Sequence, residues 1–89
     1  DVFFSQGTYE IESGNPTTIC LTAEGLDLAN AQITYTVSNE KVLSVEPSAA
    51  ATGCAVVAAY SETTETQQLD AIVVVGERTY TATADIHIV

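Results

Sequence analysis

Apolar and polar residues alternate with a period of two along most of this chain. The clearest run is Arg78–Ile88. Its apolar positions would share one face: Tyr80, Ala82, Ala84, Ile86 and Ile88. Such alternation is typical of a strand with one face against a core and the other in water. Leu69–Val75 is a denser apolar strand, and Gly76 favours a hairpin turn after it. We therefore predict an antiparallel pair at this end of the chain.

The same pattern recurs in further segments that are separated by turn-forming residues. The other predicted strands are Thr8–Glu12, Thr17–Ala23, Ala31–Val37, Val42–Val45 and Gly53–Tyr60. Val2–Phe4 is either an extension of the first strand or the end of a linker, and Gly25–Asn30 predicts one helical or 3-10 turn. About seven short strands with regularly spaced turns predict an all-β, two-sheet sandwich. The predicted core is Ile19, Leu21, Ile33, Tyr35, Val37, Val45, Val57, Ile72, Val74, Tyr80, Ala82 and Ile86.

Composition and charge narrow the classes of protein. Thr, Val and Ile supply 29 of the 89 residues, whereas Leu supplies 5 and Met none. β-branched side chains favour strands, so this composition excludes a helical bundle. No apolar run reaches the ~20 residues of a membrane span. Twelve acidic residues against two basic ones give a net charge of −10. This charge excludes a nucleic-acid partner, argues against membrane insertion and favours a monomer.

The ends of the chain and its cysteines suggest a context. The sequence begins at Asp1, contains no Met and ends within an alternating pattern at Ile86–Val89. We interpret residues 1–89 as a single domain of a longer polypeptide, in which residues 1–7 are a linker or an extension of the first strand. Two cysteines in a small acidic domain favour an oxidising location, either extracellular or at the cell surface.

Three segments resemble the bacterial Ig-like domains of group 2. In Ile33–Val45, a strand ends in the polar turn Ser38-Asn39 and is followed by the pair Val42 and Val45. Gly76–Ile88 is similar to the last hairpin and strand of that family, and Thr8–Gly14 with Thr17–Ala23 is similar to its first two strands. Tyr35 occupies a position that is often Trp in the family, and Gln67-Gln68 stands where a glycine usually opens the penultimate strand.

The resemblance implies an immunoglobulin-like sandwich and a function without catalysis. It points to a structural or adhesion module of a multidomain bacterial cell-surface or secreted protein, whose partners are the neighbouring domains of the same polypeptide. The alternative is a ligand-recognition module that binds carbohydrate or a host protein through loops at one end of the sandwich. Fold resemblance alone assigns no reaction.

In such a sandwich the strands that contain Cys20 and Cys54 are antiparallel neighbours in one sheet. Cys20 points outward, since Ile19 and Leu21 have the opposite parity, and Cys54 can share that outer face. Directly opposed residues lie within disulfide reach, so we predict a Cys20–Cys54 bond. The alternative is two free thiols, because Val56 and Tyr60 share the parity of Cys54 and could claim the core side.

No residue pattern predicts a catalytic, cofactor or metal site. His87 is the only histidine, and it is expected in solvent without a nucleophile nearby. Lys41 lies in a polar turn, which argues against an isopeptide bond. The carboxylates lack a calcium-loop spacing, so a solvated acidic surface is favoured over a calcium site. Tyr60 is the candidate ligand contact, because it ends a strand beside a polar loop and could stack on a sugar. A core position is the favoured alternative for its ring, since aromatic side chains dominate small cores.

Overall fold

The computed structural model describes all 89 residues and contains eight β-strands and one 3-10 turn, Leu28–Asn30. The strands are β1 (Val2–Phe4), β2 (Thr8–Ile11), β3 (Thr17–Ala23), β4 (Gln32–Val37), β5 (Leu43–Pro47), β6 (Cys54–Ala59), β7 (Gln67–Val75) and β8 (Arg78–Ile88). All seven strands predicted from alternation are present, with ends that differ by a residue or two. The 3-10 turn lies within the segment predicted to form one.

The strands form two four-stranded sheets that pack face to face. Sheet 1 has the order β1-β3-β6-β5, and sheet 2 has the order β2-β8-β7-β4. Every neighbouring pair is antiparallel except β2 and β8, which are parallel. The hairpin predicted for β7 and β8 is confirmed, with Val75 opposite Arg78 across the turn. The predicted all-β, two-sheet sandwich is therefore the observed architecture.

The first strand is divided between the sheets, which raises the number of strands from the expected seven to eight. Val2–Phe4 pairs with β3 in sheet 1, whereas Thr8–Ile11 pairs with β8 in sheet 2. Ser5–Gly7 crosses between them, and Tyr9 holds this crossing because its Oη accepts a hydrogen bond from the Gln6 N–H at 3.0 Å. Val2–Phe4 is thus neither a linker nor a simple extension, since Val2 and Phe4 are buried in the core.

The core between the sheets consists of aliphatic side chains with one aromatic residue, Phe4. Five of the residues predicted for the core are buried: Ile19, Leu21, Val57, Ala82 and Ile86. Five others are half-buried against it: Ile33, Tyr35, Val37, Val45 and Tyr80. The half-buried group comes mainly from β4 and β5, which are edge strands, so one side of each is not covered by a neighbour.

The prediction for the inward face of β7 is wrong. Its buried residues are Leu69, Ala71 and Val73, each 0% exposed. Ile72 is 41% exposed and Val74 is half-buried on the outer face. The continuous apolar run of residues 71–75 has no alternation to set its phase. The polar residue Asp70 has the same parity as Ile72 and marks the outer face.

Two glycines fix turns at the same end of the sandwich. Gly76 has φ 62° in the two-residue connection Gly76-Glu77, and this is the pattern of a type II′ hairpin turn because Glu77 lacks a positive φ. Gly53 has φ 80° before β6, and a Cβ atom there would lie 2.7 Å from Leu28 Cδ1. The 3-10 turn therefore packs directly on the backbone that leads into β6.

The sandwich is elongated, with extents of 38 × 23 × 20 Å. Asp1 C=O accepts a hydrogen bond from Glu24 N–H just after β3, whereas Val89 C=O accepts one from Ser13 N–H shortly before β3. Residues 1 and 89 consequently lie near opposite ends of that strand. The structure contains no helix with the length and apolar character of a membrane span.

Candidate functional site

Cys20 and Cys54 lie opposite each other on the outer face of sheet 1. Leu21 N–H donates to Gly53 C=O at 2.8 Å, so the next pair along, Cys20 and Cys54, occupies a position without mutual backbone hydrogen bonds. Such positions bring side chains closest, and here the Cα atoms are 4.0 Å apart and the Sγ atoms are bonded. The two residues thus have the within-sheet arrangement expected from strand parity. Formation of the bond in solution stays a prediction.

Tyr60 lies directly after β6 and is 63% exposed. It lines a groove of about 350 Å³ between the edges of β4 and β5. The other residues of this groove are Tyr35, Thr36, Val37, Glu40, Leu43, Ser44 and Val45. Because the Tyr60 N–H donates to Val42 C=O at 2.8 Å, the backbone under the exposed ring is fixed. The groove is the concave surface in which the predicted contact residue takes part.

Tyr35 forms part of the floor of this groove and carries an unpaired polar group. Its Oη atom is buried and has no hydrogen-bond partner. Burial also raises the pKa of the Tyr35 hydroxyl, because the phenolate would lose its hydration. An unpaired buried hydroxyl costs free energy in the folded state. Tyr35 is thus a polar residue in a position that folding alone does not favour.

Ser38 and Gln67 connect β4 to β7 at the end of the groove. Gln67 is 4% exposed, and its Oε1 accepts a hydrogen bond from Ser38 Oγ at 2.9 Å. Ser38 Oγ in turn accepts one from the Gln68 N–H at 3.0 Å. The serine hydroxyl therefore satisfies both a buried amide oxygen and a backbone donor, and it joins the residue that follows β4 to the first two residues of β7.

The other polar candidates from the sequence are dispersed. His87 is half-buried on the outer side of β8, opposite Glu10 of β2, and Lys41 lies in the exposed turn after β4. Asp27 Oδ1 accepts from the Ala29 N–H at 3.0 Å, and Asp70 Oδ1 accepts from Thr83 Oγ1 at 2.8 Å. No group of three or more His, Cys, Asp or Glu side chains is placed to hold a metal ion.

Comparison with solved structures establishes the architecture. The M1 domain from titin is similar to this domain, with a TM-score of 0.60 over 97% of this chain and 89% of that chain. The domain has an immunoglobulin-like fold. The sequence identity is 13%, so the likeness concerns the fold alone. No family model and no curated protein matches the sequence.

Sequence reasoning singled out the cysteines and Tyr60 but missed one feature of the groove and one buried residue beyond its end. Tyr35 was expected to be a core residue, because alternation shows the inward face and does not show that β4 is an edge strand. The buried Gln67 was missed because β7 was expected to begin at Leu69. Gln67 shares the parity of Leu69 and Ala71, and this signal could have placed its side chain inside.

Proposed function

We propose that this immunoglobulin-like domain is a non-catalytic structural module of a multidomain bacterial cell-surface or secreted protein, of the group 2 bacterial Ig-like type. The observation that carries this proposal is the position of residues 1 and 89 near opposite ends of the long axis of the sandwich. The polypeptide enters beside Glu24 and leaves beside Ser13, near opposite ends of a sandwich 38 Å long. Modules joined in this way form an extended row, in which each one adds its length to the distance spanned.

The hydrogen bonds at the two ends support a role in bearing tension. Next to residue 89, the Val89 N–H donates to Ile11 C=O at 2.9 Å, and β2 runs parallel to β8. At the other end β1 is held by β3. A pull on both ends would therefore act along strands and load several backbone hydrogen bonds together. The Cys20–Cys54 bond ties β3 to β6 inside sheet 1.

The charge of the domain fits an exported row of modules. At a net charge of −10, copies of the domain repel each other, and this repulsion keeps the protein soluble. The cysteine pair fits an oxidising extracellular location. The partners in this proposal are the flanking domains of the same chain.

Small-angle X-ray scattering of joined copies tests the structural proposal. Copies linked from Val89 to Asp1 should increase the maximum dimension by about 38 Å per added module. A single copy serves as the reference. Copies that fold back on each other, with little increase in length, would contradict a spacing role.

Ligand recognition is a second candidate, and the exposure of Tyr60 favours it. An aromatic ring that is 63% exposed above a groove can stack on a sugar ring. A glycan array should then show binding that Tyr60→Ala abolishes and that Tyr60→Phe retains, because the phenyl ring keeps the stacking surface. An array without any bound glycan would remove carbohydrate from this candidate.

A further inference from the structure

Strand β4 ends sheet 2 with backbone groups that have no partner. The Ser38 N–H donates to Gln68 C=O at 2.9 Å, and the β4–β7 register continues from this pair. Backbone groups alternate in direction along an antiparallel ladder, so residues 32, 34 and 36 face β7. Ile33, Tyr35 and Val37 therefore direct their N–H and C=O groups away from the sheet. β4 has no other neighbouring strand, and no turn or side-chain hydrogen bond reaches these groups.

The three other edge strands are short or obstructed. β1 has three residues, and β2 has four and carries Glu10. Just before β5, the Tyr60 N–H donates to Val42 C=O, so the backbone groups of Val42 face β6. The backbone groups of Leu43, Val45 and Pro47 therefore point away from the sheet. Leu43 N–H is already bonded to Asn39 C=O at 3.1 Å, and Pro47 has no N–H. β4, with six residues and neither charge nor proline, lacks the features that usually protect an edge.

Two concave surfaces run beneath the free edge of β4. The groove shared with β5 contains Tyr35 and Val37, and a second depression of about 180 Å³ contains Ile33, Tyr35 and Pro47. Tyr35 is common to both, so the two depressions follow one another along the strand. Alternate side chains of an added strand would point to this inner face and would fill both. Apolar residues make up most of the lining of each depression.

We propose that β4 accepts an extended segment of a partner protein as a fifth strand of sheet 2. The segment carries apolar residues at alternate positions and basic residues beside them. The basic character follows from charge, since the domain has a net charge of −10, Glu40 lines the groove, and neither depression contains Lys or Arg. A second copy of this chain is the poorer occupant, because it would bring the same negative charge to the edge.

Nuclear magnetic resonance titration with a synthetic peptide tests the proposal. The probe is a peptide of about eight residues, enough to span β4, with Val at alternate positions, Thr between them and Lys at both ends. The amide signals of Ile33, Tyr35 and Val37 should shift, and their hydrogen exchange should slow. Val37→Pro removes one outward N–H without breaking the ladder to β7 and should weaken binding about tenfold. The matched control Thr8→Pro lies on the edge strand β2, outside both depressions; it removes an N–H that points away from sheet 2 there and should leave binding unchanged.

Two further comparisons keep the test independent of whether these variants fold. A peptide N-methylated on the residues that face β4 should not bind, whereas methylation of the intervening residues should leave binding intact. Glu40→Gln should weaken binding, and Glu62→Gln, in the loop after β6, should not.

Three results would overturn the proposal. One is a set of shifted signals confined to the loop after β6, and another is equal binding by both methylated peptides. The third is a peptide-free dimer that protects the β4 amides, because the occupant would then be a second copy of this chain.

Discussion

Strands β4 and β5 flank the same groove but end their sheets in different ways. On β5, three residues have backbone groups that point away from the sheet. The Leu43 N–H donates to Asn39 C=O and Pro47 has no N–H, so the Val45 N–H is the one free donor. On β4, Ile33, Tyr35 and Val37 all keep theirs. Both strands are short and half-buried, so the difference does not come from hydrophobicity. It comes from individual residues that satisfy or remove backbone donors, and it makes one of two adjacent edges available for pairing.

The sheets behind these edges are also held by different means. Sheet 1 has the predicted Cys20–Cys54 bond across β3 and β6, whereas in sheet 2 the Ser38 hydroxyl adds hydrogen bonds beside the β4–β7 backbone ladder. Sheet 1 therefore has a predicted covalent constraint and is closed at its β5 edge. Sheet 2 is held by noncovalent contacts and open at its β4 edge.

The largest effect should come from loss of the disulfide. Replacement of Cys20 and Cys54 by Ala in one variant should lower the free energy of unfolding by about 3–4 kcal/mol, because the bond closes a loop of 34 residues in the unfolded chain. Urea denaturation measures the change, and the β4 amides of the variant should keep their exchange pattern. Titration of two free thiols in folded, never-reduced protein would show that the bond is absent.

Removal of the Ser38 hydroxyl should have the next largest effect. Ser38→Ala leaves the buried Gln67 Oε1 without its donor, so we expect a loss of about 1–2 kcal/mol in thermal or urea unfolding. Ser48→Ala is the matched control on the β5 side. Its hydroxyl accepts only the exposed Ala50 N–H, at 3.2 Å, and its loss should cost a few tenths of a kcal/mol. Equal losses in the two variants would refute the role given to Ser38.

Replacement of Tyr35 by Phe should stabilise the domain by about 1 kcal/mol, because the unpaired buried hydroxyl is removed. Burial raises the pKa of this hydroxyl, so above pH about 10 the unfolded chain loses the proton first and stability falls as the pH rises. Tyr35→Phe should make that fall shallower. Tyr60→Phe, on an exposed ring, should change neither quantity. A destabilised Tyr35→Phe would indicate that Oη has a partner in solution.

Moderate salt should have the smallest effect. Because NaCl screens repulsion among the carboxylates over a Debye length of about 10 Å at 0.1 M, the melting temperature should rise by a few degrees. CaCl₂ at equal ionic strength is the control. A much larger rise with calcium would indicate a specific site and would contradict screening as the cause.

Local alternation was enough to predict most of the fold, and its failures have physical causes. β8 and β3 alternate cleanly, so their ends and inward faces follow from the sequence. The run of residues 71–75 in β7 is apolar on both faces, and its phase depended on Asp70. The division of the first strand between two sheets depends on long-range pairing with β3 and β8, which local pattern does not encode.

The candidate site was predictable only in part. Parity placed Cys20 on the outer face and allowed Cys54 to share it, whereas exposure of Tyr60 was the less favoured of two alternatives. The groove itself arises where edges of different sheets meet, and sheet order follows from the whole chain. The closed state of β5 likewise depends on the Asn39 carbonyl that reaches Leu43 N–H, and the open state of β4 depends on its place at the edge of sheet 2.

Residue-resolved amide hydrogen exchange of the isolated domain tests the contrast between the two edges most directly. The structure leads us to expect rapid exchange at Ile33, Tyr35 and Val37, alternating with slow exchange at Thr34 and Thr36. On β5, Val45 alone should exchange rapidly, since Leu43 donates to Asn39. Uniform protection along β4, or equally rapid exchange at Leu43, would contradict the account of one open and one closed edge.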